Sequence, residues 1–218
     1  MKHLIQERLG QGITTLQQLM VDDTLQTALA GAAESTSIAM LEGRKLMIAG
    51  NGGSAADAQH LAAEFVSRLT VDRPAMRALA LTTDASILTA VANDYGYDRV
   101  FERQIEALGQ PGDVFLGIST SGNSKNILKA LALCRKMRIS TIGFTGQIGG
   151  KMPLLCDYCV MIPSTITATI QEAHLTLEHI FCHLVEARYF CAEALVQQNW
   201  PLAGQRRARG AAVPRLVQ

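Results

Sequence analysis

The feature that most constrains this chain is a series of short, unbroken apolar runs: KLMIAG at 45–50, ALAL at 78–81, VFLGI at 114–118, STIGF at 140–144 and YCVMI at 158–162. A strand with one wet face alternates apolar and polar residues. A strand apolar at every position is buried on both faces, which happens where helices cover both sides of a parallel sheet. Between the runs lie stretches with helical apolar spacing, at 54–68, 84–92, 98–108 and 126–137, and a last one from about 168 into the region of residue 190. The expected fold class is therefore α/β: a doubly wound, about five-stranded parallel sheet flanked by helices.

Residues 1–42 precede this pattern and lack a glycine-rich loop. Leu4, Ile5, Leu9, Ile13, Leu16, Leu19 and Met20 recur at helical spacing, and Asp22 and Asp23 supply an N-cap signal for a second helix ending near Gly43. The stripe of this N-terminal helical hairpin is apolar enough to pack on the core or on another subunit. Residues 1–195 are expected to form one domain. The segment 196–218, with Arg206, Arg207, Arg209 and Arg215 among Gly, Ala and Pro, is expected to be a disordered basic tail.

Composition narrows the class. At 48% apolar and 18% charged residues the chain can bury a core. Its 20 basic and 19 acidic residues leave a net charge of +1, which excludes a strong steering field for nucleic acid or a membrane surface. No apolar run approaches the ~18 residues of a membrane span, and the opening MKHLIQERLGQGI lacks the pattern of a secretory signal. Cys134, Cys156, Cys159, Cys182 and Cys191 are odd in number and scattered, so reduced thiols in a cytoplasmic protein are expected. The spacing of Cys156 and Cys159 invites a metal or redox reading, but Tyr158–Ile162 reads as a short buried strand and there is no second Cys pair, so ordinary buried thiols are expected.

In a doubly wound sheet ligands sit at the carboxyl ends of the strands. The loop after VFLGI is STSGNS, in which Ser119, Thr120, Ser121 and Ser124 are hydroxyl donors and Gly122 permits a tight turn. It opens a helix whose free N–H groups and positive dipole end favour an anion. Helix capping alone calls for fewer hydroxyls, and the loop matches neither a Walker loop nor a dinucleotide fingerprint. A phosphate site without a nucleotide cofactor is expected there. Gly50, Asn51, Gly52 and Gly53 follow the first strand in the same way, and their glycines let backbone approach a ligand closely. Asn93 and Asp94 end another helix in a sequence adequate as a helix stop.

The helix after Ser54 carries His60 and Glu64 at i, i+4, on one face, where an imidazole and a carboxylate suit metal binding or proton transfer. The last helix carries Gln171, Glu172, His174, Glu178, His179 and His183. His179 stands about 80° out of line with Gln171 at roughly 100° per residue. Helical geometry equally favours Gln171 with His174 and Glu178, so spacing does not select the set.

Taken together, GNGGSAADAQHLAAEF at 50–65, ANDYGYDRVF at 92–101, GISTSGNSKNI at 117–127 and IQEAHLTLEHI at 170–180 resemble the phosphoheptose isomerases of the sugar isomerase (SIS) superfamily, in order and in spacing, over roughly residues 1–190. The resemblance implies a cytoplasmic homotetramer with sites across subunit contacts. It implies conversion of sedoheptulose 7-phosphate to a heptose 7-phosphate, the first step toward nucleotide-activated heptose for bacterial surface polysaccharide. It assigns the phosphate to Ser119, Thr120, Ser121 and Ser124, and the rest of the substrate to Asn51, Gly52, Gly53, Asn93 and Asp94. It gives zinc to His60, Glu64, Gln171 and His179, with Glu64 and His179 as the catalytic pair. Many relatives carry Asp and Arg where this chain has Ala168 and Thr169. A non-catalytic SIS relative binds the bacterial replication initiator, and others sense phosphosugars. Retention of Glu64 and His179 favours the enzyme, and no basic recognition helix stands in residues 1–42.

Overall fold

The computed structural model describes residues 1–70 and 72–199, with side chains described as far as residue 190. Two helices lead, α1 (Lys2–Leu19) and α2 (Asp23–Leu41). As expected, Asp22 caps the second, its carboxylate accepting the N–H of Leu25 at 2.9 Å. The five strands are β1 (Leu46–Ala49), β2 (Ala78–Ala80), β3 (Val114–Ile118), β4 (Ser140–Gly146) and β5 (Tyr158–Ile162). They are linked by α3 (Gly53–Val66), α4 (Ala85–Tyr95), α5 (Val100–Leu108) and α6 (Lys125–Lys136), and α7 (Thr167–Asn199) follows β5.

All neighbouring strands run parallel, in the order β2-β1-β3-β4-β5. The expected five-stranded α/β sheet is present and its inner strands are dry on both faces, but the run at 78–81 forms an edge strand on which Leu79 is exposed. Leu46, Ile48, Val114, Leu116, Ile118, Ile142 and Phe144 pack with α2, α3 and α7. Met47, Ala49 and Phe115 turn to the opposite side, toward α5 and α6. The side chains of a strand alternate between faces, so burying both faces requires the unbroken apolar runs.

Three boundaries differ from expectation. The segment expected as one helix from residue 98 begins with a 3₁₀ turn, Tyr97–Arg99, before α5. Gly96, at φ +91°, ends α4 and re-aims the chain there. α4 itself extends to Tyr95, so Asn93 and Asp94 lie inside its last turn. α7 continues to Asn199, beyond the region of residue 190, because neither Gly nor Pro interrupts the chain before Pro201. The basic tail with Arg206, Arg207, Arg209 and Arg215 lies outside the described residues. The described cysteines are free thiols, with Cys134 and Cys182 buried.

Chain order decides where a site forms. From β1 the chain moves to β2 on one side, then returns to place β3 on the other. The sheet therefore has its switch point between β1 and β3, where the loops at their carboxyl ends diverge and leave a crevice. Those two loops are 50–53 and 119–124.

Candidate active site

The loop after β3 turns tightly: the Gly122 N–H donates to the Ser119 carbonyl at 2.9 Å, and Gly122 takes φ +62°. Ser124 occupies the N-cap position of α6 but makes no side-chain capping bond. Its hydroxyl instead meets that of Ser119 at 2.8 Å, with Ser121 a further 3.5 Å from Ser119. The hydroxyls are thus gathered on one another, and the N–H groups of Lys125 and Asn126 are not spent on a serine cap. Such a cradle suits an anion better than a heavily capped helix end does.

The glycine loop after β1 is tied to this cradle. The Asn51 amide donates to Asn126 Oδ1 at 3.0 Å and accepts from Asn126 Nδ2 at 2.8 Å, a reciprocal amide pair across the crevice. Tyr97 Oη donates to the same Asn51 oxygen at 3.0 Å. Neither Asn126 nor Tyr97 was selected from sequence. The signal for Asn126 was its place two residues past the last serine of the loop, facing the other loop across the switch point. Asn93 and Asp94 bond to each other at 2.7 Å and are exposed, one turn from Tyr97.

Gly53 begins α3 against α7. A Cβ built on it would stand 2.5 Å from Gln171 Nε2, so the glycine makes room for that amide. Two and three turns further along α3, His60 and Glu64 share a face, with His60 Nε2 3.6 Å from Glu64 Oε1. His179 of α7 meets them, its Nε2 at 2.8 Å from that of His60. One donor atom from each of His60, Glu64 and His179 lies within 4.8 Å of the others.

The donor set suits a divalent cation of borderline softness such as zinc, which takes imidazole nitrogen and carboxylate oxygen in a tetrahedron. Zinc–nitrogen bonds of about 2.0–2.1 Å place two ligand nitrogens about 3.3 Å apart. The imidazoles need to separate by only about half an ångström from their 2.8 Å contact to reach that spacing.

The choice that helical spacing left open is resolved by burial. His174 is fully buried under β4, where its Nε2 donates to the Thr145 carbonyl at 3.2 Å. Burial, opposed by that bond, pushes its pKa down to about 4, so it is a neutral core histidine. Glu178 is also fully buried, and burial together with the nearby Asp57 carboxylate pushes its pKa up to about 8. Among the described residues neither of its oxygens has a hydrogen-bond partner. From this helix Gln171 lies against Gly53, and His179 meets His60 and Glu64.

A family profile for the SIS domain matches residues 12–146. Phosphoheptose isomerase 2 of Campylobacter jejuni is 53% identical over 186 residues, 85% of this chain and 92% of that protein. The phosphoheptose isomerase of Aneurinibacillus thermoaerophilus is 50% identical over 190 residues, 87% of this chain and 96% of that protein. The chain belongs to the phosphoheptose isomerase family. A solved phosphoheptose isomerase from Neisseria gonorrhoeae superposes with a TM-score of 0.80 at 38% identity, covering 85% of this chain and 98% of that one. This family member is accordingly an isomerase with the SIS fold.

Proposed function

We propose that this isomerase interconverts sedoheptulose 7-phosphate and D-glycero-D-manno-heptose 7-phosphate, supplying the precursor of a nucleotide-activated heptose for surface polysaccharide, in the bacterial cytoplasm. The observation that carries the reading is the continuity of two chemical units. The serine loop is tied through Asn126 and Asn51 to the glycine loop. The glycine loop ends at Gly53, against the Gln171 amide and on the same helix as His60 and Glu64, two and three turns on.

In this reading Ser119, Thr120, Ser121 and Ser124 hold the substrate phosphate with the first N–H groups of α6. Asn51, Gly52, Gly53, Asn93, Asp94 and Gln171 hold the sugar. Glu64 removes the proton from the carbon beside the carbonyl and returns it to the neighbouring carbon, passing through an enediolate. His179 moves the proton between the two substrate oxygens. Zinc held by His60, Glu64, Gln171 and His179 would supply a Lewis acid for the developing oxyanion. A carboxylate that ligates a cation loses base strength, so the two roles of Glu64 compete.

The homotetramer belongs to the same reading. α4 buries none of its residues in the single chain, and Leu4, Ile5, Leu9 and Ile13 form an exposed apolar stripe on α1. Burying such surface between copies is favourable, at about 25 cal/mol per Å². It would also let a second subunit complete the surroundings of Asn93 and Asp94.

The test is proton NMR of sedoheptulose 7-phosphate with purified protein in D2O, with and without chelator. A new heptose 7-phosphate anomeric signal, absent with Glu64→Gln, is the expected result. No conversion by a metal-replete tetramer would overturn the reading and move the weight to a phosphosugar-sensing or initiator-binding protein.

A further inference from the structure

α3 and α7 present the reactive side chains to each other, and His60 and His179 touch across the gap. A second, buried link lies two turns further along α7. Arg73, in the segment between α3 and β2, and Glu186, on α7, form an ion pair in which the side chains are only 2% and 3% exposed. Arg73 Nε donates to one Glu186 oxygen, and Thr70 Oγ1 donates to the other.

The remaining guanidinium nitrogens of Arg73 turn to the end of α3. Nη2 donates to the Glu64 carbonyl and Nη1 to the Phe65 carbonyl, each at 2.8 Å. Nη1 also reaches the Ser67 carbonyl at 3.4 Å. The last carbonyls of a helix have no partner within the helix, and the negative end of its dipole favours a cation. The planar fork of arginine satisfies several such carbonyls at once and leaves one edge for a carboxylate, which an ammonium cannot do.

The level of these contacts matters as much as their number. Glu186 lies seven residues beyond His179, two turns on, and so on nearly the same stripe of α7. Arg73 therefore grips the backbone of Glu64 itself with one edge. With the other it grips the α7 stripe that carries His179. A buried pair of this kind is a poor source of net stability, because desolvation offsets the attraction. Its geometry is its more distinctive contribution.

We propose that Arg73, with Glu186, is a positioning residue of the isomerase, setting the Glu64 turn of α3 against the His179 stripe of α7. The inference rests on the catalytic and metal roles proposed for Glu64 and His179. Substrate phosphate is held elsewhere, on α6 and the serine loop, so loss of the pair should spare substrate affinity. Displacing a reacting group by about 1 Å can cost on the order of 10²-fold in rate.

The experiment compares Arg73→Lys and the double variant Arg73→Met with Glu186→Met against the unmodified protein. The double variant leaves no buried charge unpaired, and replacing a buried ion pair by apolar side chains of similar volume is often neutral or stabilising. Expected are a melting temperature close to that of the unmodified protein, kcat lower by about 10–10²-fold and KM within about twofold. Zinc affinity, measured by chelator competition without substrate, should fall by about tenfold. Arg73→Lys restores a charge beside Glu186 but not the fork on the helix carbonyls, so its kcat should stay low.

A folded double variant with undiminished kcat and zinc affinity would overturn the proposal, as would full rescue by lysine. If the unmodified protein binds zinc but converts no heptulose phosphate, the reaction assignment fails, and the zinc titration still decides the positioning role. If it neither converts substrate nor binds zinc, both fall.

Discussion

His60 and His179 are 119 residues apart in sequence and bring their Nε2 atoms to 2.8 Å of each other. The rings meet edge to face, with centroids 5.0 Å apart and planes at 79°. In the absence of a cation one ring must donate its N–H to the lone pair of the other. With a cation, both turn lone pairs toward it.

Metal affinity should therefore depend on both rings equally. His60→Ala and His179→Ala are each expected to weaken zinc binding by more than the roughly 10–100-fold that outer partners of a ligand are worth. Competition with a chromophoric chelator measures it. Unchanged affinity in either variant would remove that histidine from the ligand set.

Gly53→Ala separates Gln171 from the remaining ligands. The added methyl would stand 2.5 Å from Gln171 Nε2, at the far end of a flexible side chain. The amide can swing away, so stability should change by less than about 1 kcal/mol, as for most substitutions that leave the core intact. Zinc affinity should fall with it. A variant that binds zinc as before, with Gln171 displaced in its structure, would show that the amide is not a ligand.

The sheet was legible in sequence because β1, β3 and β4 are buried on both faces, and mostly apolar side chains serve there. The loops were legible for a related reason: glycines at 50, 52 and 53 and hydroxyls at 119–121 and 124 have no role in a core. What spacing did not reveal was which face of α7 meets α3. His174 and His179 are equally plausible on a helical wheel, and only the burial of His174 beneath Thr145 separates them. Arg73 was invisible for the opposite reason. Its partners are backbone carbonyls and a carboxylate 113 residues away, and a lone arginine in a loop carries no pattern.

The serine loop allows a test that distinguishes ligand binding from helix capping. Replacing a capping serine by alanine costs about 1 kcal/mol. Because Ser124 makes no capping bond, Ser124→Ala should cost less than half of that, while raising KM for the heptulose phosphate severalfold with little change in kcat. Urea unfolding and steady-state kinetics check the two halves. A loss of about 1 kcal/mol with an unaltered KM would identify the residue as a cap.

Acid should act through His174. Its pKa is lowered from 6.5 in the unfolded chain to about 4 in the folded one, by burial opposed by the Thr145 bond. The folded state therefore holds the ring neutral while the unfolded chain takes up a proton. The associated stability is fully present above pH 6.5 and is lost as pH falls toward about 4. The shift corresponds to about 3 kcal/mol at most. Glu178, one turn away and raised to about 8, works in the opposite sense, since its neutral form is increasingly shared by the unfolded chain as pH falls from about 8 to 4.5. Wild-type stability alone would mix the two. His174→Gln keeps an N–H for the Thr145 carbonyl, removes the titration and leaves Glu178 in place. The difference in urea midpoint between variant and wild type should be constant above pH 6.5. It should shift in favour of the variant between pH 6.5 and 4. A difference that stays constant across that window would show that the buried His174 takes up a proton as readily as it does in the unfolded chain.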